Sequence, residues 1–188
     1  MSDQEERKPP NKIRISKLQE VHVGPLKRID RECAEQYWEL GFDAAEVPIR
    51  TTEEFYVMPK FHAVRVAEAD YETAGFAAWR DEAPGIIYLE EIAVEPAMQR
   101  FGVGRKLMER LFEEAKEGDF GEVVLRSWKK AEWAQAFYKK LGFKEIGDDA
   151  PPKVKEWLEE KTAGGRPFLR PGEVALWAPI PRDAADDD

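Results

Sequence analysis

Apolar positions change their spacing several times along the chain, and each change marks an element. Lys12-Ile13-Arg14-Ile15-Ser16 alternates in the manner of an edge strand. Leu26, Ile29, Cys33, Tyr37 and Leu40 then recur at helical spacing, with Gly24-Pro25 at the start and Gly41 just past the end. Thr51 with Glu54 three residues on is a capping box, opening a short helix through Phe55 and Met58. Phe61–Ala69 alternates, Asp70-Tyr71-Glu72 turns, and Thr73–Arg80 returns with Gly75 inside it; Pro84-Gly85 turns again into Ile86–Val94. Connections this short predict an antiparallel meander. The period then reverts to helical over Val103, Leu107, Leu111 and Ala115, ended by Gly118. A strand over Glu122–Ser127 and a helical stripe of Ala134, Phe137, Tyr138 and Leu141 follow, the latter ended by Gly142. Phe143–Ile146 and Glu173–Ala178 read as two last strands around a helix at roughly Pro152–Thr162. The order predicts an α/β domain with a mixed sheet over residues 12–181. Residues 1–11 read as a disordered start and 182–188 as an acidic tail.

Composition narrows the function classes. The 188 residues carry 29 Lys+Arg against 38 Asp+Glu, a net charge of −9, and Asp183, Asp186, Asp187 and Asp188 supply four of the negative charges. Such a balance makes the chain a poor candidate for nucleic acid, which is bound by neutralising phosphates with a basic face. A single cysteine, Cys33, excludes an intrachain disulfide, and two distant histidines, His22 and His62, predict no metal site. No apolar run approaches the roughly 20 residues of a membrane span, and no apolar signal segment opens the chain, so a cytoplasmic protein is expected. The long segment after Gly147 should add a last strand or a dimer contact, leaving monomer or homodimer open.

The most informative stretch is Tyr88-Leu89-Glu90-Glu91-Ile92-Ala93-Val94-Glu95-Pro96-Ala97-Met98-Gln99-Arg100-Phe101-Gly102-Val103-Gly104. A strand runs into a loop whose glycines fall where the next helix begins. A helix N-terminus presents unpaired N–H groups and partial positive charge, and glycines there let a phosphate approach the backbone. Arg100 and Arg105 add charge, which points to an anion site suited to a diphosphate. The competing reading is one turn glycine plus one helix-packing glycine.

Gln99-Arg100-Phe101-Gly102-Val103-Gly104 resembles the Q/R-x-x-G-x-G/A signature of the GNAT acyltransferases, and Ala131–Phe143 resembles that family's second segment, N-x-x-A-x-x-F/L-Y-x-x-x-G-F. The resemblance covers roughly Val64 to Gly147. It implies a mixed, mostly antiparallel sheet flanked by helices, acetyl-CoA as cosubstrate, and direct acetyl transfer to an amine. It also implies that the pyrophosphate meets Gln99, Arg100, Phe101, Gly102, Val103, Gly104 and Arg105. The pantetheine arm would meet Ile92, Ala93 and Val94, where the strand splays from its parallel neighbour. Ala131 departs from the family's usual Asn, which removes one side-chain contact to the cosubstrate; Gln135 is the candidate to replace it. Tyr138 matches the tyrosine that protonates the leaving thiolate, although it also shares a core-like helical face with Ala134, Phe137 and Leu141.

Amine acylation needs a neutral amine, a polarised carbonyl and a proton for the thiolate. Glu90 and Glu91 are the base candidates. They point to opposite faces of a strand, and Tyr88–Val94 resembles the H-I-E-D-I-A-V run of one subgroup of the family, which favours Glu90. Pairing of either with an arginine, or a water chain in place of a base, stays open. Cys33, away from the signature, reads as a small buried residue rather than a nucleophile. Small amines and protein amines both remain possible acceptors, as does a non-catalytic acyl-CoA-binding module. A P-loop is excluded because no G-x-x-x-x-G-K-[ST] is present.

Overall fold

The structure is a computed structural model and describes residues 8–163 and 167–181. The acidic tail at 182–188, residues 1–7 of the N-terminal segment and residues 164–166 fall outside the described residues. The elements in chain order are β1 (Ile13–Lys17), α1 (Glu20–Trp38), α2 (Thr52–Val57), β2 (Ala63–Ala69), β3 (Glu72–Ala83), β4 (Ile86–Val94), α3 (Val103–Glu117), β5 (Glu122–Trp128), α4 (Glu132–Lys140), β6 (Lys144–Glu145), α5 (Pro152–Ala163) and β7 (Glu173–Pro179). The strands make one mixed seven-stranded sheet. Two compact units divide the chain, Met1–Ala78 with Glu91–Arg110 and Trp79–Glu90 with Leu111–Asp188. Strands β3 and β4 each run through both, so the first unit reads β1-β2-β3-β4 and the second β3-β4-β5-β7-β6.

In the first unit β1 pairs antiparallel with β2 from Ile13↔Ala69 to Lys17↔Arg65 and forms the expected edge. The hairpin into β3 turns on Asp70 and Tyr71, with φ of 49° and 75°, the left-handed pair that a two-residue turn requires. Leu26 and Ile29 of α1, Phe55 of α2, Val66 and Phe76 form the core of this unit. The Phe55 and Phe76 rings meet edge-on at 5.5 Å. The capping box forms as expected: Glu54 N–H donates to Thr51 Oγ1 (3.2 Å) and Thr51 N–H to Glu54 Oε2 (2.6 Å).

Helix α1 differs from the sequence expectation. It begins at Glu20 rather than at Pro25, which lies inside it. Gln19 N–H donates to Nδ1 of the buried His22 at 3.1 Å, an imidazole cap that starts the helix earlier. Pro25 then removes only the bond to the carbonyl of Val21, an exposed residue.

In the second unit β4 pairs parallel with β5 over Ile86↔Glu122, Ile87↔Val123 and Tyr88↔Val124. The ladder ends there, although β4 runs on to Val94 and β5 to Trp128. β7 pairs antiparallel with all of β5 from Glu122↔Pro179 to Trp128↔Glu173, and β6 adds to its other side. The late segment therefore supplies an interior strand. Tyr88, Val124, Trp157 and Trp177 form this unit's core, and Phe168 packs edge-on against Trp157 at 5.2 Å.

Candidate active site

In the first unit, β4 ends at Val94 and a 3-10 turn over Pro96–Met98 leads to the glycine loop. Arg100 and Gly102 both take left-handed backbone, with φ of 68° and 88°. A Cβ on Gly102 would meet nothing within 4 Å, so glycine is required there by backbone angle and not by space. Lys106 N–H donates to Gly102 O (3.0 Å), which makes Gly102 the residue before the helix. The N–H groups of Val103, Gly104 and Arg105 then lie ahead of the first intrahelical bond. Arg100 and Arg105 are exposed beside them and Phe101 is half-buried. This is a cationic, backbone-lined end that a diphosphate fits.

Gln99 does something the motif alone does not indicate. Its Nε2 donates to Val94 O (3.1 Å) and to Gln36 Oε1 (3.0 Å), tying the loop to the end of β4 and to α1. Ala93 is buried, whereas Ile92 and Val94 are partly exposed. Glu91 pairs with Arg50, Nη2 to Oε2 at 2.8 Å. The same guanidinium reaches the buried Asp30 through Nη1 at 2.9 Å, and Arg50 N–H donates to Asp30 Oδ2 at 2.7 Å. Burial works against the Arg50 charge, but Glu91 and Asp30 outweigh it and hold the guanidinium above its ordinary value. Burial, reinforced by Glu91, likewise pushes the Tyr37 phenol up.

Cys33 donates its thiol proton to Val94 O at 3.2 Å. Burial, then the Glu91 charge, pushes the thiol from 9.0 up to about 12. The folded protein thus carries far less thiolate than a free cysteine near pH 8. Iodoacetamide should therefore label Cys33 only on unfolding; rapid labelling of the native protein would contradict this environment. The folded thiol keeps its proton while the unfolded one ionises, so this contribution is present below pH 9 and lost as pH rises toward 12.

In the second unit, Glu90 is ion-paired with Arg80, whose Nη2 also contacts the buried Glu82 carboxylate at 2.9 Å. Arg80 lies over the Tyr88 ring at 4.5 Å, and Trp157 Nε1 donates to Glu82 at 3.2 Å. Both carboxylate candidates thus face arginines, on networks belonging to different units. On α4, Ala131 stands at the cap position without a side-chain cap and is fully buried. Gln135 Nε2 bonds Ser127 Oγ (2.9 Å) and Trp128 O (3.0 Å), securing the turn where the family places its Asn. Tyr138 is buried, with its ring edge-on to Phe143 at 5.6 Å and 5.4 Å from Phe137.

Sequence reasoning did not find Arg50, Asp30 or Arg80 as partners of the two glutamates. No local pattern signals them, since Arg50 and Glu91 are 41 residues apart.

A family model described as Acetyltransferase (GNAT) domain matches residues 52–145. Among solved structures, a PaiA N-acetyltransferase from Thermoplasma acidophilum in complex with coenzyme A is similar at 17% identity and a TM-score of 0.69, covering 89% of this chain and 99% of that one. The ribosomal-protein-S18-alanine N-acetyltransferase from Escherichia coli is similar at 19% identity and a TM-score of 0.62, covering 93% and 98%. N-acetylglutamate synthase from Neisseria gonorrhoeae, complexed with coenzyme A and N-acetyl-glutamate, is similar at 19% identity and a TM-score of 0.63 over 91% of this chain but 36% of that one.

Proposed function

Because this chain belongs to the GNAT family of acetyltransferases, whose cosubstrate is acetyl-CoA, we infer that it transfers acetyl directly to a primary amine of a small molecule. The observation that carries the reading is the loop of Gln99–Arg105, where left-handed backbone at Arg100 and Gly102 turns the chain into the start of α3. Acetyl-CoA supplies the activated acyl group as a thioester. The N–H groups of Val103, Gly104 and Arg105 hold the diphosphate, with Arg100 and Arg105 adding charge. The backbone of Ile92–Val94 binds the pantetheine arm and presents an N–H toward the carbonyl. The Tyr138 hydroxyl gives a proton to the departing sulfur. Gln135 holds the turn before α4 through Ser127 and Trp128, at the place of the Asn contact it is the candidate to replace. The cytoplasm, where acetyl-CoA is made and a lone thiol stays reduced, is the setting that fits.

Of the two carboxylates, Glu91 is favoured as the group that meets the acceptor. It directly precedes the Ile92–Val94 segment, while Glu90 is held with Arg80 beside the buried Glu82 carboxylate. Glu91 would also hold the acceptor's ammonium before it loses its proton. Glu91→Gln should lower kcat by about tenfold or more with CoA affinity retained, and Glu90→Gln should leave kcat within about twofold. Equal and small effects would mean that a water chain removes the proton.

The reading is tested by CoA titration calorimetry, then by acetyl-CoA consumption across a panel of small amines and peptides with free N-termini. Turnover with a small amine supports it, and turnover with peptides alone would move the acceptor to protein. CoA binding with no turnover on any amine would make the chain a sensing module.

A further inference from the structure

Gly75 lies within β3, buried, in the same unit as the end of β4. A Cβ built on it would stand 2.5 Å from Ala93 O, 3.1 Å from Val94 Cα and 3.3 Å from Val94 Cγ2. The two closest of these are backbone atoms, so no rotamer change relieves the contact, and a side chain of any size must push the Ala93–Val94 peptide away. An Ala93 carbonyl lying in the plane of the ladder would not approach the position of a neighbour's Cβ, which stands off that plane. The peptide is therefore tilted toward β3, and only glycine leaves room for it.

Three further bonds converge on the same short segment. Glu95 N–H donates to Ala74 O at 2.9 Å, returning the chain to β3 immediately after the tilt. Val94 O accepts from the Cys33 thiol at 3.2 Å and from Gln99 Nε2 at 3.1 Å. Helix α1, strand β3 and the glycine loop thus each hold Ala93–Val94 from a different direction. The strand end has no side-chain chemistry of its own, so what it offers a ligand is the placement of its backbone groups.

We propose that Gly75 is a positioning residue for the cosubstrate: by lacking a side chain it sets the backbone of Ala93–Val94 in the orientation that receives the pantetheine arm, and the Cys33 thiol locks that orientation. This rests on the reading that the end of β4 holds the arm. Gly75 touches no reacting atom in this scheme and acts only through the strand beside it.

The test compares CoA with 3′-phospho-ADP, which keeps the phosphates and lacks the arm, by calorimetric titration of the full chain. Gly75→Ala should weaken CoA by about tenfold, the range that overpacking forces on a backbone, and change 3′-phospho-ADP by less than about twofold. Cys33→Ala should weaken CoA by about threefold, while Cys33→Ser, which keeps a donor, should recover most of that. Equal losses for both ligands would make Gly75 a general folding residue and overturn the proposal, as would a Gly75→Ala protein of unchanged CoA affinity. Should Gly75→Ala fail to fold, the Cys33 pair decides alone, and indistinguishable Ala and Ser variants count against it. Wild-type protein that binds 3′-phospho-ADP and CoA equally would overturn the role of the strand end itself. Wild-type protein that binds neither would overturn the functional reading and this proposal with it.

Discussion

Tyr138→Phe should bind acetyl-CoA with near-normal affinity and lose turnover by about 10²-fold or more. The substitution keeps the ring that packs against Phe143 and Phe137 and deletes one hydroxyl from a buried position. If the residue only fills the core, the cost is confined to stability and stays under about 1.5 kcal/mol. If the hydroxyl delivers the proton to sulfur, the loss falls on kcat and kcat/KM together, because the interaction is made mainly in the transition state. Steady-state kinetics beside a CoA titration on one preparation separates the two roles. Full activity in the Phe variant would end the general-acid assignment.

Arg50→Met should destabilise the fold by about 3 kcal/mol, because it removes a cation shared by a buried and a half-buried carboxylate. Asp30 would keep the Arg50 backbone N–H but lose the guanidinium, leaving buried charge uncompensated. For a chain of this length that corresponds to a fall in Tm of roughly 6–12 °C, read by thermal melting. Adding Asp30→Asn to the Arg50→Met protein should recover part of the loss, since the stranded carboxylate is what costs. Arg50→Lys should recover less than the native fork provides, because an ammonium cannot span Asp30 and Glu91 in the same geometry. A melting temperature within about 2 °C of wild type for Arg50→Met would mean that the network contributes nothing net, as many exposed pairs do.

Elements whose cause is local were legible in the chain. The capping box at Thr51 and Glu54, the Asp70–Tyr71 hairpin, the Gly85 turn and the stop glycines at Gly118 and Gly142 all act over a few residues, and each forms where the spacing puts it. The glycine loop belongs to the same class, because left-handed backbone at Gly102 and the start of α3 are set within six residues. The start of α1 shows the limit of such reasoning. Pro25 is a good first residue for a helix, but His22 supplies a cap earlier in the chain, and imidazole is an uncommon cap that pattern alone does not rank above proline.

Contacts between residues far apart in sequence carry no periodic signal and emerge only on folding. β7 lies between β5 and β6, and nothing in Glu173–Pro179 names its neighbours. Which arginine meets which glutamate follows from the strand's alternation and from what each face packs against: Glu91 meets Arg50 and Glu90 meets Arg80. Gly75 was visible as a glycine within a strand, a sign of close backbone approach, but the carbonyl it accommodates belongs to Ala93, on a strand whose tilt only the folded sheet creates. Short-range spacing encodes the order of elements, the glycine loop and the family they announce, which is why these were readable in the chain. The fold determined how the two glutamates are partnered and how the end of β4 is held, because those depend on long-range packing.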